Sequence, residues 1–545
     1  MSAYESSRIE QNPKHRTTQR EHCFPTKRVN LGRIVRVDIQ RRREMGSSKD
    51  RHFGFNEGSF RLRDVRNDRD DLIGLTTLAT ALSATQPRFN LSGTDVRILR
   101  TPTEYYGNLI DMIKRARRRI VLSSLYIGTA EKELLQALHN ALQSNPQLTL
   151  DLHLDLLRST RPETPSTAEF LMPLIKSFGE DRVRTHLFRT PKLKGLTAKL
   201  VPRRFDEGWG TWHAKLYAVD DEVMISGANL NSSYFTDRQD RYLHFKHQPS
   251  LTNYVIDYAS TMIPFTHRLV PVPGRESGPE SYRAEWRNQQ TGPTSFEASG
   301  KKAFESLQER WRTSQLAGPS GSDTAIFPVI QSGVLGVREE EMVIDKLFDC
   351  ISQSPVPATV DLTSGYFGLY APYKTRILSS PDSIRWRIVA AAPKANGFYG
   401  SKGISGRLPE AYTWLERRFW GAASKAGKIS PQDSKVELSE WERQGWTYHA
   451  KGIWVRFGED ESHHSSKPTM SLFGSTNLNS RSANLDTELS FMMVTSSGQL
   501  SEALAEEVDG IREKASIVGR ETWERSERHV RLSTIAMAKM VAGML

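Results

Sequence analysis

Two stretches of the 545-residue chain set a histidine and a lysine two positions apart and follow them with a similar turn. The first is Trp212-His213-Ala-Lys215-Leu-Tyr-Ala-Val-Asp220, then Ser226-Gly227-Ala228-Asn229-Leu-Asn231. The second is Tyr448-His449-Ala-Lys451-Gly-Ile-Trp454, then Gly474-Ser475-Thr476-Asn477-Leu-Asn479. If each His-x-Lys lies on a β-strand, the two side chains share a face, so a nucleophile or acid meets a phosphate-binding cation at one spot. A glycine before the asparagine lets backbone approach a ligand closely, and the asparagine amide can donate to a phosphate oxygen. Each stretch is half of a phosphate site.

His-x-Lys alone is a weak signal. A third copy, His244-Phe-Lys246, has neither an Asp five residues beyond its lysine nor the turn, and is expected to be structural. The other two histidines are 236 residues apart (213 to 449), and Ser124-Leu-Tyr126 and Ser364-Gly-Tyr366 recur 240 apart (124 to 364). A repeat of that period predicts two similar domains.

The elements that must position these residues alternate in type. Residues 95–99, 119–127 and 149–154 read as strands, with helical spacing over 105–118 and 131–142. The same order returns as a helix over 340–348 and strands over 358–367 and 384–390, which predicts an α/β fold with helices covering a sheet. Pro- and Gly-bearing stretches at 271–300 and 316–323 have linker character. The expected organisation is a basic, disordered or targeting segment over 1–85, a first domain over 86–290, a linker over 291–323, a second domain over 324–515 and a helical tail over 516–545.

Composition excludes several classes. At 61.8 kDa the chain exceeds one growing core, and 37% hydrophobic residues argue against a mostly disordered chain. Two cysteines, Cys23 and Cys350, supply neither a disulfide framework nor a cysteine zinc site. A net charge of +12 points to an anionic partner: nucleic acid, a phosphorylated ligand or an acidic membrane. No apolar run reaches the roughly 18 residues of a membrane span, so membrane work would be done from the surface. The segment 523–545 mixes basic and apolar residues and reads as a packing helix or an interfacial one.

The paired motif resembles the phospholipase D superfamily, whose signature is His-x-Lys-x4-Asp followed by a Gly-Ser-x-Asn turn. More closely, residues 225–242 with their Tyr234-Phe-Thr-Asp-Arg-Gln-Asp-Arg-Tyr242 string, residues 124–129 and the Gly-rich 395–407 are similar to eukaryotic phosphatidylglycerophosphate synthases, over about residues 93 to 515. The second copy departs from the signature, with Arg456 in the Asp position and a polar insert at 457–469.

The resemblance implies two phospholipase-D-like α/β/α domains as a pseudo-twofold pair with one shared active site. It implies transfer of a phosphatidyl group from CDP-diacylglycerol to glycerol 3-phosphate through a phosphohistidine. His213 would be the nucleophile and His449 the acid, with Lys215, Lys451 and Asp220 catalytic. Asn229, Asn477 and Ser475 would bind phosphate, and Asp240 and Glu488, each eleven residues past a motif asparagine, would orient the histidines. No metal or other cofactor is expected. The implied setting is an anionic membrane surface, contacted peripherally at the mitochondrial inner membrane on its matrix side, with no nucleic acid. Serine or water as acceptor, or a superfamily phosphodiesterase acting on nucleic acid, are the alternatives.

Overall fold

The computed structural model describes residues 69–162, 165–314, 319–458 and 466–540. The basic segment 1–68, most of the insert at 457–469 and the last five residues lie outside them.

Two mixed sheets carry the architecture. The first has nine strands in the order Tyr282–Trp286, Thr266–Pro271, Val183–Phe188, Thr149–Asp155, Arg119–Ser123, Leu216–Val219, Glu222–Ser226, Tyr242–Phe245 and Val96–Leu99. Its three central strands at 119–123, 149–155 and 183–188 are parallel, and the hairpin 216–226 returns antiparallel beside them. The second sheet repeats this order: Ala358–Ser364, Ile384–Ala391 and Val436–Trp441 are parallel, Lys451–Phe457 and Met470–Gly474 run antiparallel, then come Thr487–Thr495 and Thr324–Ser332.

The parallel strands need both faces covered, and their sequences are correspondingly apolar. On the outer face of the first sheet, Pro102–Arg115 buries Tyr105, Leu109, Ile110, Met112 and Ile113. That helix starts at a capping box of Thr101 and Glu104, with proline in the first turn, where its missing N–H costs nothing. The inner faces of both sheets share one apolar cluster, in which Trp212, Leu216 and Phe245 of the first half meet Ile326, Phe473 and Phe491 of the second. The site described below sits at the rim of this shared core.

Four sequence expectations change. Residues 69–83, expected within a disordered segment, form a helix whose Leu75, Leu78, Ala79 and Leu82 join the core outside the second sheet with Phe327 and Val343. The next strand, Phe89–Leu91, pairs with 324–326 of the second sheet although it precedes the first. The expected linker contains the helix Glu297–Thr313, whose Phe304 and Leu307 are buried in the shared core. The tail is not one helix: it breaks into Arg520–Glu524, with Trp523 buried, and Leu532–Met540.

Candidate active site

The two histidines are positioned by backbone pairing between the sheets. Ahead of His213, the extended chain lies parallel to the second sheet: Thr487 N donates to Thr211 O and His213 N to Thr487 O, both at 2.9 Å. Ahead of His449 the same thing happens in reverse. Thr447–Tyr448 pairs in parallel with Arg238–Gln239, and His449 N donates to Gln239 O at 2.8 Å. The residue after Thr487 is Glu488 and the residue after Gln239 is Asp240, so each register delivers a carboxylate from one sheet to the histidine of the other. Neither histidine lies within a strand, as the sequence suggested; each ends an extended lead-in, and the regular strand begins at Leu216 or Lys451.

His213 Nδ1 stands 2.9 Å from both oxygens of Glu488. Glu488 is fully buried and also accepts the hydroxyls of Ser475 and of Ser482 at 2.7 Å. Burial raises a carboxyl pKa, but here His213, Lys215 and Ser475 outweigh it and bring Glu488 down to about 2. Burial holds His213 below its usual value against the pull of Glu488. In its neutral form the ring donates its Nδ1–H to the carboxylate, which leaves Nε2 with a lone pair.

His449 Nδ1 lies 2.6 Å from Asp240 Oδ2 and 2.6 Å from Lys451 Nζ, and Nε2 is 3.3 Å from the Tyr234 hydroxyl. Tyr234 and Tyr366 present ring edges to it at 5.1 and 5.4 Å. Burial, then Lys451 and Arg238, push the His449 pKa well down, while burial raises that of Asp240. Both histidine–carboxylate pairs are buried, which strengthens every charge interaction within them.

The lysines are buried beside the rings. Lys215 Nζ donates to His213 O at 2.6 Å, and burial lowers its pKa to about 7. Burial likewise lowers Lys451 to about 8, with Asp240 opposing. The turn glycine of the first copy has another purpose than close approach to a ligand. A Cβ on Gly227 would stand 2.5 Å from Asp240 Oδ1 and 2.7 Å from Lys451 Nζ, so its absence makes room for the opposite copy's lysine and its carboxylate.

Asn229 accepts from Leu125 N at 3.3 Å and donates to Tyr234 at 3.1 Å, tying the loop after the central strand to the tyrosine on His449. Asn477 is buried and its side-chain oxygen has no hydrogen-bond partner among the described residues. Ser475, expected on phosphate, instead holds Glu488: its hydroxyl is buried, donates to that carboxylate and accepts from Leu489 N at 3.2 Å.

Asp220, expected to be catalytic, is also corrected. It sits in the turn at the far end of the 216–219 strand, with φ of 52°, and its carboxylate accepts from the backbone N–H of Arg117 and Arg118 at 2.8 Å and of Arg119 at 3.1 Å. The four-residue strand between them carries it roughly 16 Å from Lys215. Asp220→Ala should therefore cost about 1–3 kcal/mol of stability through unpaired amides, while specific activity of the folded fraction stays within a few-fold. Chemical denaturation with a parallel rate assay checks this; a loss of turnover without a loss of stability would return Asp220 to the chemistry. Arg456, at the equivalent place in the second copy, is buried 3.4 Å from Asp361 and 2.8 Å from Asp509. His244, the third His-x-Lys, has its ring nitrogens against Asn108 at 3.1 Å and Glu222 at 3.0 Å.

Tyr234, Tyr366 and Arg238 were not singled out by their chemistry in the sequence, although Tyr234 and Arg238 lie in the quoted string and Tyr366 in the repeated tripeptide. Two clusters bring three metal-capable donors within 4.8 Å of one another: His213, Asp486 and Glu488, and Asp151, His153 and His186. In both, the carboxylates are committed. Asp486 takes the Thr211 amide and hydroxyl at 2.9 Å and Arg481 at 2.8 Å, and Asp151 takes Arg184 at 2.9 Å and His186 at 2.8 Å. The guanidinium on Asp486 and the one on Asp151 oppose a second cation there, and Glu488 is taken up by His213, Ser475 and Ser482.

No family model matches the chain. It is 34% identical over 476 residues to a mitochondrial CDP-diacylglycerol–glycerol-3-phosphate 3-phosphatidyltransferase of Gallus gallus, covering 82% of this chain and 83% of that one. The Homo sapiens protein of that name is 32% identical over 82% of each chain, and the Saccharomyces cerevisiae one 32% identical over 84% of this chain and 89% of that. Among solved structures, the phosphatidylserine synthase of Haemophilus influenzae superposes with a TM-score of 0.62 at 20% identity, over 86% of this chain and all of that one. That likeness establishes the phospholipase-D-like fold.

Proposed function

Because the chain belongs to the family of CDP-diacylglycerol–glycerol-3-phosphate 3-phosphatidyltransferases, we propose that it transfers a phosphatidyl group from CDP-diacylglycerol to sn-glycerol 3-phosphate, yielding phosphatidylglycerophosphate and CMP. The observation that carries the mechanism is the pair of histidines held crosswise by buried carboxylates, one ring with its Nε2 lone pair available. In the first step His213 Nε2 attacks the phosphorus bearing diacylglycerol. The N–P bond forms, the P–O bond to CMP breaks with its electron pair on the CMP oxygen, and His449 supplies a proton there; it must enter this step as imidazolium, with Asp240 and the anionic diphosphate of the bound donor offsetting the burial and the cations that oppose its charge in the empty site. In the second, the acceptor hydroxyl gives its proton to His449 as its oxygen attacks the phosphatidyl-histidine, and the N–P electron pair returns to His213. Splitting the substitution in two lowers each barrier.

Lys215, Lys451 and Asn477 offset the charge on the phosphoryl oxygens. The recurrence of strand order in the two sheets supports a pseudo-twofold pair of domains sharing this site. The product would feed phosphatidylglycerol and cardiolipin formation. The two vertebrate relatives are named mitochondrial, which supports a mitochondrial location, with the inner membrane's matrix face as the proposed surface.

Peripheral contact with an anionic bilayer suits the exposed apolar residues. Among the described residues no helix is long and apolar enough to cross a membrane. Leu196 and Leu200 are 74% and 76% exposed on the short helix Gly195–Leu200, next to exposed Lys194 and Lys199, shortly before the lead-in to His213. Tyr399 and Ile404 are exposed in the Gly-rich loop, whose Gly397 abuts Tyr366, and Arg407 from that loop reaches Ser533 beside exposed Leu532. Apolar tips among lysines are the composition of an interfacial contact.

The deciding experiment offers CDP-diacylglycerol in detergent micelles with glycerol 3-phosphate, serine and water in competition, and identifies the lipid by mass spectrometry. Phosphatidylglycerophosphate with stoichiometric CMP is expected; phosphatidylserine or phosphatidic acid as the main product would overturn the acceptor, and no lipid product the lipid reading.

The buried lysines also set a pH limit. A lysine with a lowered pKa is charged below that value and loses its charge as pH rises through it. With Lys215 at about 7 and Lys451 at about 8, kcat/KM should fall as pH rises across this interval, since this ratio reports groups of the free enzyme. A profile flat to pH 9 would remove the lysines from phosphate binding.

A further inference from the structure

We propose that Arg238 forms a second anion site beside His449, which receives the distal phosphate of the acceptor and so distinguishes a phosphorylated alcohol from an unphosphorylated one. This rests on the phosphatidyltransferase reading above and deepens it.

Several buried or half-buried arginines near the shared core are neutralised by carboxylates: Arg241 by Glu507, Arg387 by Asp361, Arg481 by Asp486 and Arg528 by Glu440. Arg238, the arginine nearest His449 along the paired strand, is not. It is half-buried in the short strand Arg238–Gln239, and no carboxylate of the described residues lies within ion-pair distance of it. Its Nε donates to Thr447 Oγ1 at 2.8 Å, which fixes the direction of the side chain, and its guanidinium lies 4.4 Å over the Tyr234 ring. A guanidinium withdrawn from water without a counter-charge is costly unless a ligand supplies one, and its planar fork suits phosphate.

A glycine lets the neighbouring loop come close to the guanidinium. Nη2 faces Gly397, where a Cβ would come within 3.4 Å of it and 3.0 Å of the Tyr366 hydroxyl. Tyr234 and Tyr366 both present ring edges to His449, so Arg238 stands one aromatic ring away from that histidine. In a displacement at phosphorus, attacking and departing atoms are roughly in line. With His213 attacking from one side, the acceptor hydroxyl enters on the His449 side, and a group carried a few atoms beyond that hydroxyl points where Arg238 waits. Glycerol 3-phosphate carries a phosphate dianion there, glycerol and water carry no anion, and serine carries only a carboxylate offset by its own ammonium.

The test compares glycerol 3-phosphate with glycerol as acceptor for the wild type, Arg238→Lys and Arg238→Gln, using CDP-diacylglycerol in micelles. The expected result is a roughly 10- to 100-fold fall in the preference for glycerol 3-phosphate with Arg238→Gln, carried by KM for glycerol 3-phosphate, and a smaller fall with Arg238→Lys. The preference is a ratio within one sample, so a partly misfolded variant does not distort it. Equal losses with both acceptors would overturn the proposal and assign Arg238 to the CMP phosphate or to His449. An unchanged ratio would overturn it outright. If the wild type makes no phosphatidylglycerophosphate, the transferase reading falls before any variant is compared.

Discussion

His213→Ala is expected to lower turnover by about 10⁵-fold or more, the scale of loss when a nucleophile is removed from a site whose groups act as a unit. The fold should survive, because the ring's hydrogen-bond partner keeps its other contacts: Glu488 still accepts from Ser475 and Ser482 and still faces Lys215. The diagnostic is covalent. Wild type mixed briefly with phosphorus-labelled CDP-diacylglycerol without acceptor should carry label on His213, acid-labile as a phosphoramidate is, and should exchange labelled CMP into the donor. His213→Ala should do neither. Label found on His449 instead would reverse the two roles, and more than a few percent of residual turnover would remove His213 from the nucleophile's place.

Glu488→Gln should cost roughly 10³- to 10⁴-fold in kcat, comparable to the loss when a triad carboxylate becomes an amide. The substitution preserves shape in a position with no exposure to solvent, so its effect is electronic. The carboxylate accepts the Nδ1 proton of His213 and thereby keeps Nε2 unprotonated; an amide can turn its NH2 to Nδ1 and drive the proton to Nε2, where it blocks attack. Because substrate contacts are untouched, KM should change little. Kinetics within tenfold of wild type, with the variant's histidine tautomer read by nitrogen NMR, would show that Glu488 serves packing alone.

The candidate site was legible in the sequence because its parts are local: histidine, lysine and asparagine lie within one hairpin of each copy, and the carboxylates follow at a fixed spacing. Their wiring was not legible. Asp240 serves the histidine 209 residues later, and Glu488 the one 275 residues earlier, because residues 237–239 pair with 447–449 and 487 with 211–213. No local pattern encodes that register. Asp220 misled for a related reason: a fixed offset in a motif says nothing of which end of a short strand the acid reaches. The helices at 69–83 and 297–313 were hidden by their flanks, basic residues before one and Pro and Gly around the other. Their Leu75, Leu78, Leu82 and Phe304, Leu307, Trp311 spacings were visible all the same. Arg238 was legible as a letter of a string but not as a charge without a counterpart, which only the assembled surroundings reveal.

The crossed carboxylates have a consequence for when chemistry can begin. During synthesis the first sheet is complete long before Glu488 has been added to the chain, and until then His213 has nothing to set its tautomer. His449 arrives into a site whose Asp240 has been waiting. On the proposed mechanism a nascent or partly docked molecule would hold two idle histidines, and both would become competent in the single event that closes the two registers. A covalent lipid intermediate formed on a half-built enzyme would be open to water; this arrangement makes reactivity itself the report that assembly is finished.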